Sequence, residues 1–168
     1  RSPSRGLGDV YKRQALNPSF PEGNLNLGGH YFRTKKYNLA IKHFKQAIKA
    51  YPNFIQAHSN LGAVLNKLNR SKEAIPHLEK AIQLDPEFGV AYFNLGNAYF
   101  KENNLFKARK AYDLAISKGT NFLSLHWNLY DLYVRNDKKL KAKKELEIIL
   151  QLEPENLEAK KQMEGFPR

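Results

Sequence analysis

From Pro21 onward, apolar residues return three and four positions apart in stretches of about four turns, the spacing of helices with one buried stripe rather than of strands. Leu61 and Leu65 mark one stripe over 55–68, Leu78 and Ile82 another over 71–84, and the pattern returns over 89–102 and 105–118. Gly62, Ala74 and Ala81 are small places that let paired helices approach closely, while the larger residues fill the space between them. Glu102-Asn103-Asn104 and Asn136-Asp137 are the short turns between stretches. Asp85-Pro86-Glu87 predicts a helix start with Asp85 as N-cap, and Gly119-Thr120 predicts a helix end.

The stripes themselves repeat. Leu27-Gly28, Leu61-Gly62 and Leu95-Gly96 are spaced by 34 residues, with Leu129-Tyr130 at the next interval. Ala40, Ala74, Ala108 and Ala142 keep the register, as do Ala47, Ala81 and Ala115, then Ile149. So do Pro52, Pro86 and Pro154, with Thr120 in the missing place, and Tyr31, Leu65, Tyr99 and Tyr133. Four units follow, 21–54, 55–88, 89–122 and 123–156, each a pair of amphipathic helices. A single pair cannot bury its apolar face, so the units must stack and share a core.

On these residues the chain resembles the tetratricopeptide repeat family over 21–156. The fold implied is all-α, an α-α superhelix of four 34-residue helix-turn-helix repeats plus a C-terminal capping helix. Glu155 to Glu164 reads as that cap, with Leu157 and Met163 facing the last repeat and Glu155, Glu158, Lys160 and Lys161 outward, within a terminal segment 157–168.

Composition changes the picture less than its distribution does. The 168 residues carry 28 Lys+Arg against 16 Asp+Glu, a formal charge of +12. The first fourteen are unlike the rest: Ser4 to Gln14 resembles the translation of an end sequence used in transposon-based DNA library preparation. Residues 1–14 are therefore expected to be disordered adaptor-derived sequence, and 15–20 a linker or truncated upstream segment, with the natural start of the protein further upstream. Arg1, Arg5, Lys12 and Arg13 against Asp9 account for +3 of the charge, leaving +9 for the repeats. Zero Cys excludes disulfides and thiolate chemistry, and a reducing, cytoplasmic location is the expectation. No apolar run approaches the roughly 18 to 20 residues of a membrane span.

No phosphate-binding glycine loop, zinc-binding His-Glu motif or nucleophile elbow occurs, and no enzyme activity is expected. His58 and His126 hold equivalent places and are expected to pack between helices; His30, His43 and His77 show no spacing that would assemble a metal site. Glu145 and Glu147 point to different sides of a helix, which argues against concerted acid–base work. Neither metal nor cofactor is expected.

The resemblance implies that the first helix of each unit lines a concave, peptide-binding groove. The sixth residue of each unit is Asn: Asn26, Asn60, Asn94 and Asn128. An amide both donates and accepts, so it can pair with peptide backbone whatever the side chains. Helices about 8–10 Å apart would meet about every third residue of an extended ligand. The thirteenth is basic, Arg33, Lys67, Lys101 and Arg135, and would favour an acidic ligand. Phe93, Phe100 and Trp127 are expected to cluster in the groove as aromatic anchors. The family's carboxylate clamp for chaperone tails does not match, because Leu25, Gly29, Val90 and Asn94 stand where its residues belong.

The remaining cations, Lys138 to Lys144 and Lys42, Lys45, Lys49, Lys107, Arg109 and Lys110, read as solvated helix backs. Nucleic acid is disfavoured, since no base-stacking platform accompanies them. The sequence thus points to a non-enzymatic protein–protein interaction scaffold for an extended, acidic peptide. The alternative is a substrate-recruiting fragment of a larger enzyme, such as a glycosyltransferase or sulfotransferase-like protein.

Overall fold

The computed structural model describes residues 20–166, so the expectations for 1–14 and for 15–19 lie outside the described residues. Helices α1 (Pro21–Arg33), α2 (Tyr37–Ala50), α3 (Ile55–Lys67), α4 (Ser71–Leu84), α5 (Gly89–Lys101), α6 (Leu105–Ser117), α7 (Leu123–Arg135) and α8 (Lys139–Leu152) form four hairpins, and α9 (Leu157–Glu164) follows. No strand occurs among the described residues.

The turn inside every hairpin is the same device. Lys35, Asn69, Asn103 and Asp137, one repeat apart, each take a positive φ of 52–59°. The amide of the residue after each reaches back to the helix, as Arg70 does to the Leu65 carbonyl at 2.9 Å. This is a Schellman ending, with Asn, Asp or Lys in the left-handed place that glycine usually takes. At the end of α6 the same motif uses Gly119 at φ 79°, as its sequence predicts.

Two expectations at helix ends are corrected. Asp85 does not start a helix: it ends α4, its carboxylate accepts from the Glu87 amide at 2.9 Å, and α5 begins at Gly89. The Pro86 turn is thus an Asx turn between helices, a competing use of the same Asp-Pro signal. Leu157 is 80% exposed rather than facing the last repeat. Ala159 takes the buried place on α9, and Met163 packs against the core from the same helix.

Within hairpins the helices pack where glycine removes a side chain. A Cβ at Gly62 would lie 2.5 Å from the Leu78 side chain, and one at Gly96 2.5 Å from the Tyr112 ring. Two core clusters result, one centred on Phe44, Leu61, Leu65 and Leu78, the other on Tyr112, Leu125, Leu129 and Leu146. Tyr99 packs against both, so the core is continuous along the stack.

The curvature follows from which helices touch. The first helices of neighbouring hairpins, α1 with α3, α3 with α5 and α5 with α7, approach one another; the second helices of neighbouring hairpins do not. First helices therefore crowd the inner, concave side and second helices spread over the outer one.

Candidate functional site: the groove of the first helices

At about 100° per residue, places 2, 6, 9 and 13 of each first helix share one side, away from places 4, 7 and 11. That inner side carries the predicted amides and cations together with the ninth-place residues Gly29, Ala63, Asn97 and Asp131.

The four amides differ in what they are free to do. Asn26 is exposed, Asn60 partly so, and Asn94 only 9% exposed. None of the three side chains makes a hydrogen bond among the described residues. Asn128 is committed: its Nδ2 donates to Asn97 Oδ1 at 2.7 Å, and the same oxygen accepts from the Tyr112 hydroxyl at 2.8 Å. Burial pushes the Tyr112 hydroxyl well above its ordinary pKa, so it stays a donor.

The cations divide in the same way. Arg33 and Lys67 are exposed and without ion pairs among the described residues. Lys101 instead reaches back one repeat, donating to the Asn66 carbonyl at 2.6 Å and to Asn69 Oδ1 at 2.7 Å. It thereby ties down the C-terminal end of α3, where the helix dipole favours a cation. Desolvation, and then the neighbouring Lys67, hold the Lys101 ammonium below its ordinary pKa. Arg135 stacks over the Phe100 ring, guanidinium carbon to centroid 4.6 Å. Beside it, burial raises the Asp131 carboxyl, with Arg135 pulling the other way.

Phe93, Phe100 and Trp127 all pack against the core cluster of the third and fourth units, each with its own neighbours. Phe93 sits against Tyr112 and Phe122, at centroid distances of 6.3 and 5.2 Å. Trp127 is half-buried and edge-on to Tyr130 at 5.7 Å. Tyr130 in turn donates to Gln162 of α9 at 2.9 Å. Phe100 lies beneath Arg135. Each ring is used first in packing between elements.

Sequence reasoning missed a second set of polar residues. Places 4 and 23 of a unit meet across its hairpin: His43 Nδ1 with Asn24 Oδ1 at 3.0 Å, His58 Nδ1 with His77 Nδ1 at 3.2 Å, and His126 Nδ1 with Glu145 Oε2 at 2.8 Å. His43 and His77 are one repeat apart, a spacing that carries this signal. His58 and His126 are buried, in keeping with their expected packing. Glu145 serves as the His126 partner while Glu147 is exposed. No group of three or more metal-ligating side chains occurs among the described residues. No described helix is long and apolar enough to cross a membrane.

Comparison with known proteins agrees with this architecture. Residues 55–88 and 77–110 match tetratricopeptide repeat models, and 30–69 matches a TPR repeat model. Residues 30–110 are thus tetratricopeptide repeats, and the described residues have the fold of such repeats. Among solved structures it is similar to MamA 41-end from Desulfovibrio magneticus RS-1, at 27% identity and TM-score 0.77, over 93% of this chain and 88% of that one. It is similar to Pseudomonas aeruginosa PilF at 20% identity and TM-score 0.78, over 95% and 72%. The fold of YrrB, described as a TPR protein with an unusual peptide-binding site, matches at 23% identity and TM-score 0.75, over 96% and 83%. A search of curated protein sequences returned no significant match.

Proposed function

We propose that the chain is a non-enzymatic protein-interaction scaffold that holds an extended, acidic segment of a partner along the groove of its first helices. The observation that carries this reading is the set of uncommitted amides Asn26, Asn60 and Asn94, one repeat apart, beside Arg33 and Lys67, which have no ion pair among the described residues. The amides suit peptide backbone and the cations suit carboxylates. The fourth unit contributes differently. Asn128 and Arg135 are engaged within the protein, and Asp131 adds a carboxyl to the groove side. The acidic residues of the ligand therefore belong against units one and two, with neutral residues over unit four. The similarity to a peptide-binding TPR protein supports the class of ligand, not its sequence.

The test is anisotropy of a fluorescein-labelled acidic peptide at low and high salt, with Trp127 emission followed in parallel. Binding that weakens with salt, and weakens further in Lys67→Glu and in Asn60→Ala, is the expected result. Salt-independent binding, or an affinity unchanged in both variants, sinks the reading.

A further inference from the structure

The outer side of α5, opposite Asn94, Asn97 and Lys101, carries a feature the groove does not explain. A cavity of about 230 Å³ lies between Tyr92, Leu95 and Tyr99 of α5 and Lys107, Lys110, Ala111 and Leu114 of α6. It coincides with a break in the repeat. In the other three units, places 4 and 23 are filled by side chains that bond each other: Asn24 with His43, His58 with His77, His126 with Glu145. In the third unit places 4 and 23 are Tyr92 and Ala111, both lining the cavity, and a methyl group stands where the other units have an imidazole or carboxylate.

The lining has a definite chemistry. Two phenol rings and aliphatic side chains form the walls, and Lys107 and Lys110, both exposed, stand on α6 beside them. The Lys107 ammonium lies 5.3 Å from the Tyr99 ring centroid. The carboxylates nearby are already used: Glu79 accepts from the Tyr99 hydroxyl at 3.2 Å, and Asp113 pairs with Arg109 at 3.3 Å. Lys110 has no ion pair among the described residues. An apolar cavity of about 150 Å³ accommodates benzene, so this one is large enough for a single aromatic side chain. Two cations at its edge favour carboxylates next to that side chain.

We infer that this cavity is a second protein-docking site, taking an aromatic residue flanked by Asp or Glu on a partner protein, on the face opposite the groove. It does not depend on the groove reading. Such a pocket, an aromatic anchor with a charged rim, has the make-up of a binding hot spot.

The probe is the peptide acetyl-Asp-Phe-Asp-amide, titrated into the ¹⁵N-labelled protein, with acetyl-Lys-Phe-Lys-amide as the charge-reversed control. Saturable shifts of the Tyr99, Ala111 and Leu114 amides are expected, with affinity for the basic peptide about tenfold weaker or lower. Ala111→Leu fills the cavity and abolishes the shifts. Lys107→Glu with Lys110→Glu, both surface changes, reverses the charge preference even if Ala111→Leu fails to fold. Asn60→Ala leaves the titration unchanged, which separates this site from the groove. Absence of shifts, shifts confined to Asn60 and Asn94, or binding unaltered by the double Lys variant overturns the inference.

Discussion

His58 and His77 face each other across the second hairpin, Nδ1 to Nδ1 at 3.2 Å, and the other ring nitrogen of His58 lies 2.9 Å from the Pro52 carbonyl. A carbonyl only accepts, so His58 carries its proton on Nε2, and its bare Nδ1 accepts from the Nδ1–H of His77. Burial, then His58, then Lys45 hold the His77 pKa below 6.5, with Glu73 opposing. In the first hairpin burial, then Lys42, lowers His43 in the same way. The unfolded chain therefore binds more protons than the folded one as pH falls through 6.5. Stability is full above that pH and declines below it, before the carboxylates titrate. Urea midpoints at pH 7.5 and pH 5.5 check this: the lower pH should give the lower midpoint, and His77→Gln should shrink the difference. A midpoint that rises on acidification contradicts the assignment.

The hairpin turns offer a test of backbone strain. Lys35 occupies the left-handed place at φ 59°, where an L-residue costs roughly 1–2 kcal/mol relative to the right-handed region. Lys35→Gly relieves this while adding some unfolded-state entropy, for a net gain of about 0.5–1 kcal/mol. Asn69 already suits its place, so Asn69→Gly should change little, and Asn69→Val should cost more than 1 kcal/mol, roughly, in thermal or urea unfolding.

Lys101 separates structural from ligand-steering cations. Its bonds to the Asn66 carbonyl and Asn69 Oδ1 join units two and three. Lys101→Met should lower stability by about 1 kcal/mol at most, since Lys101 is exposed. Lys67, exposed and without an ion pair among the described residues, should show the reverse profile: Lys67→Met leaves the unfolding midpoint within about 0.5 kcal/mol and weakens an acidic peptide. Equal stability losses in the two variants would erase the distinction.

The helix pairs were legible because two periods coincide in the sequence, one of 3.6 residues within helices and one of 34 between them. Gly62 could be read as a close contact because it is a small place on an otherwise apolar helix, and the structure sets it against Leu78, as it sets Gly96, one repeat on, against Tyr112. What the sequence concealed depends on the third dimension. Lys101 is one of four cations in a column, yet only the stacked neighbour shows that its ammonium ends on the Asn66 carbonyl. Phe93, Phe100 and Trp127 share the groove side by arithmetic, while Phe122, Arg135 and Tyr130 decide what each ring covers. Leu157 lies in a helix of eight residues, too short for its stripe to fix which side is buried. The hole beside Ala111 is visible only when place 23 is read down all four repeats.

Asn97 joins the groove to the core, and its removal has a distinct signature. Its Oδ1 accepts from the buried Tyr112 hydroxyl and from Asn128, so one oxygen holds two donors from two other helices. Asn97→Ala leaves the Tyr112 hydroxyl without that acceptor inside the core, at a cost of about 1–3 kcal/mol. Tyr112→Phe removes the donor instead and should cost less, since no buried hydroxyl is left behind. Placed on the Tyr112→Phe background, Asn97→Ala should then cost less than it does alone, because its largest penalty is already gone. A double-mutant cycle in urea measures the difference directly. An additive cycle would mean that the Tyr112 hydroxyl and Asn97 act independently, and that the bond between core and groove contributes nothing to stability.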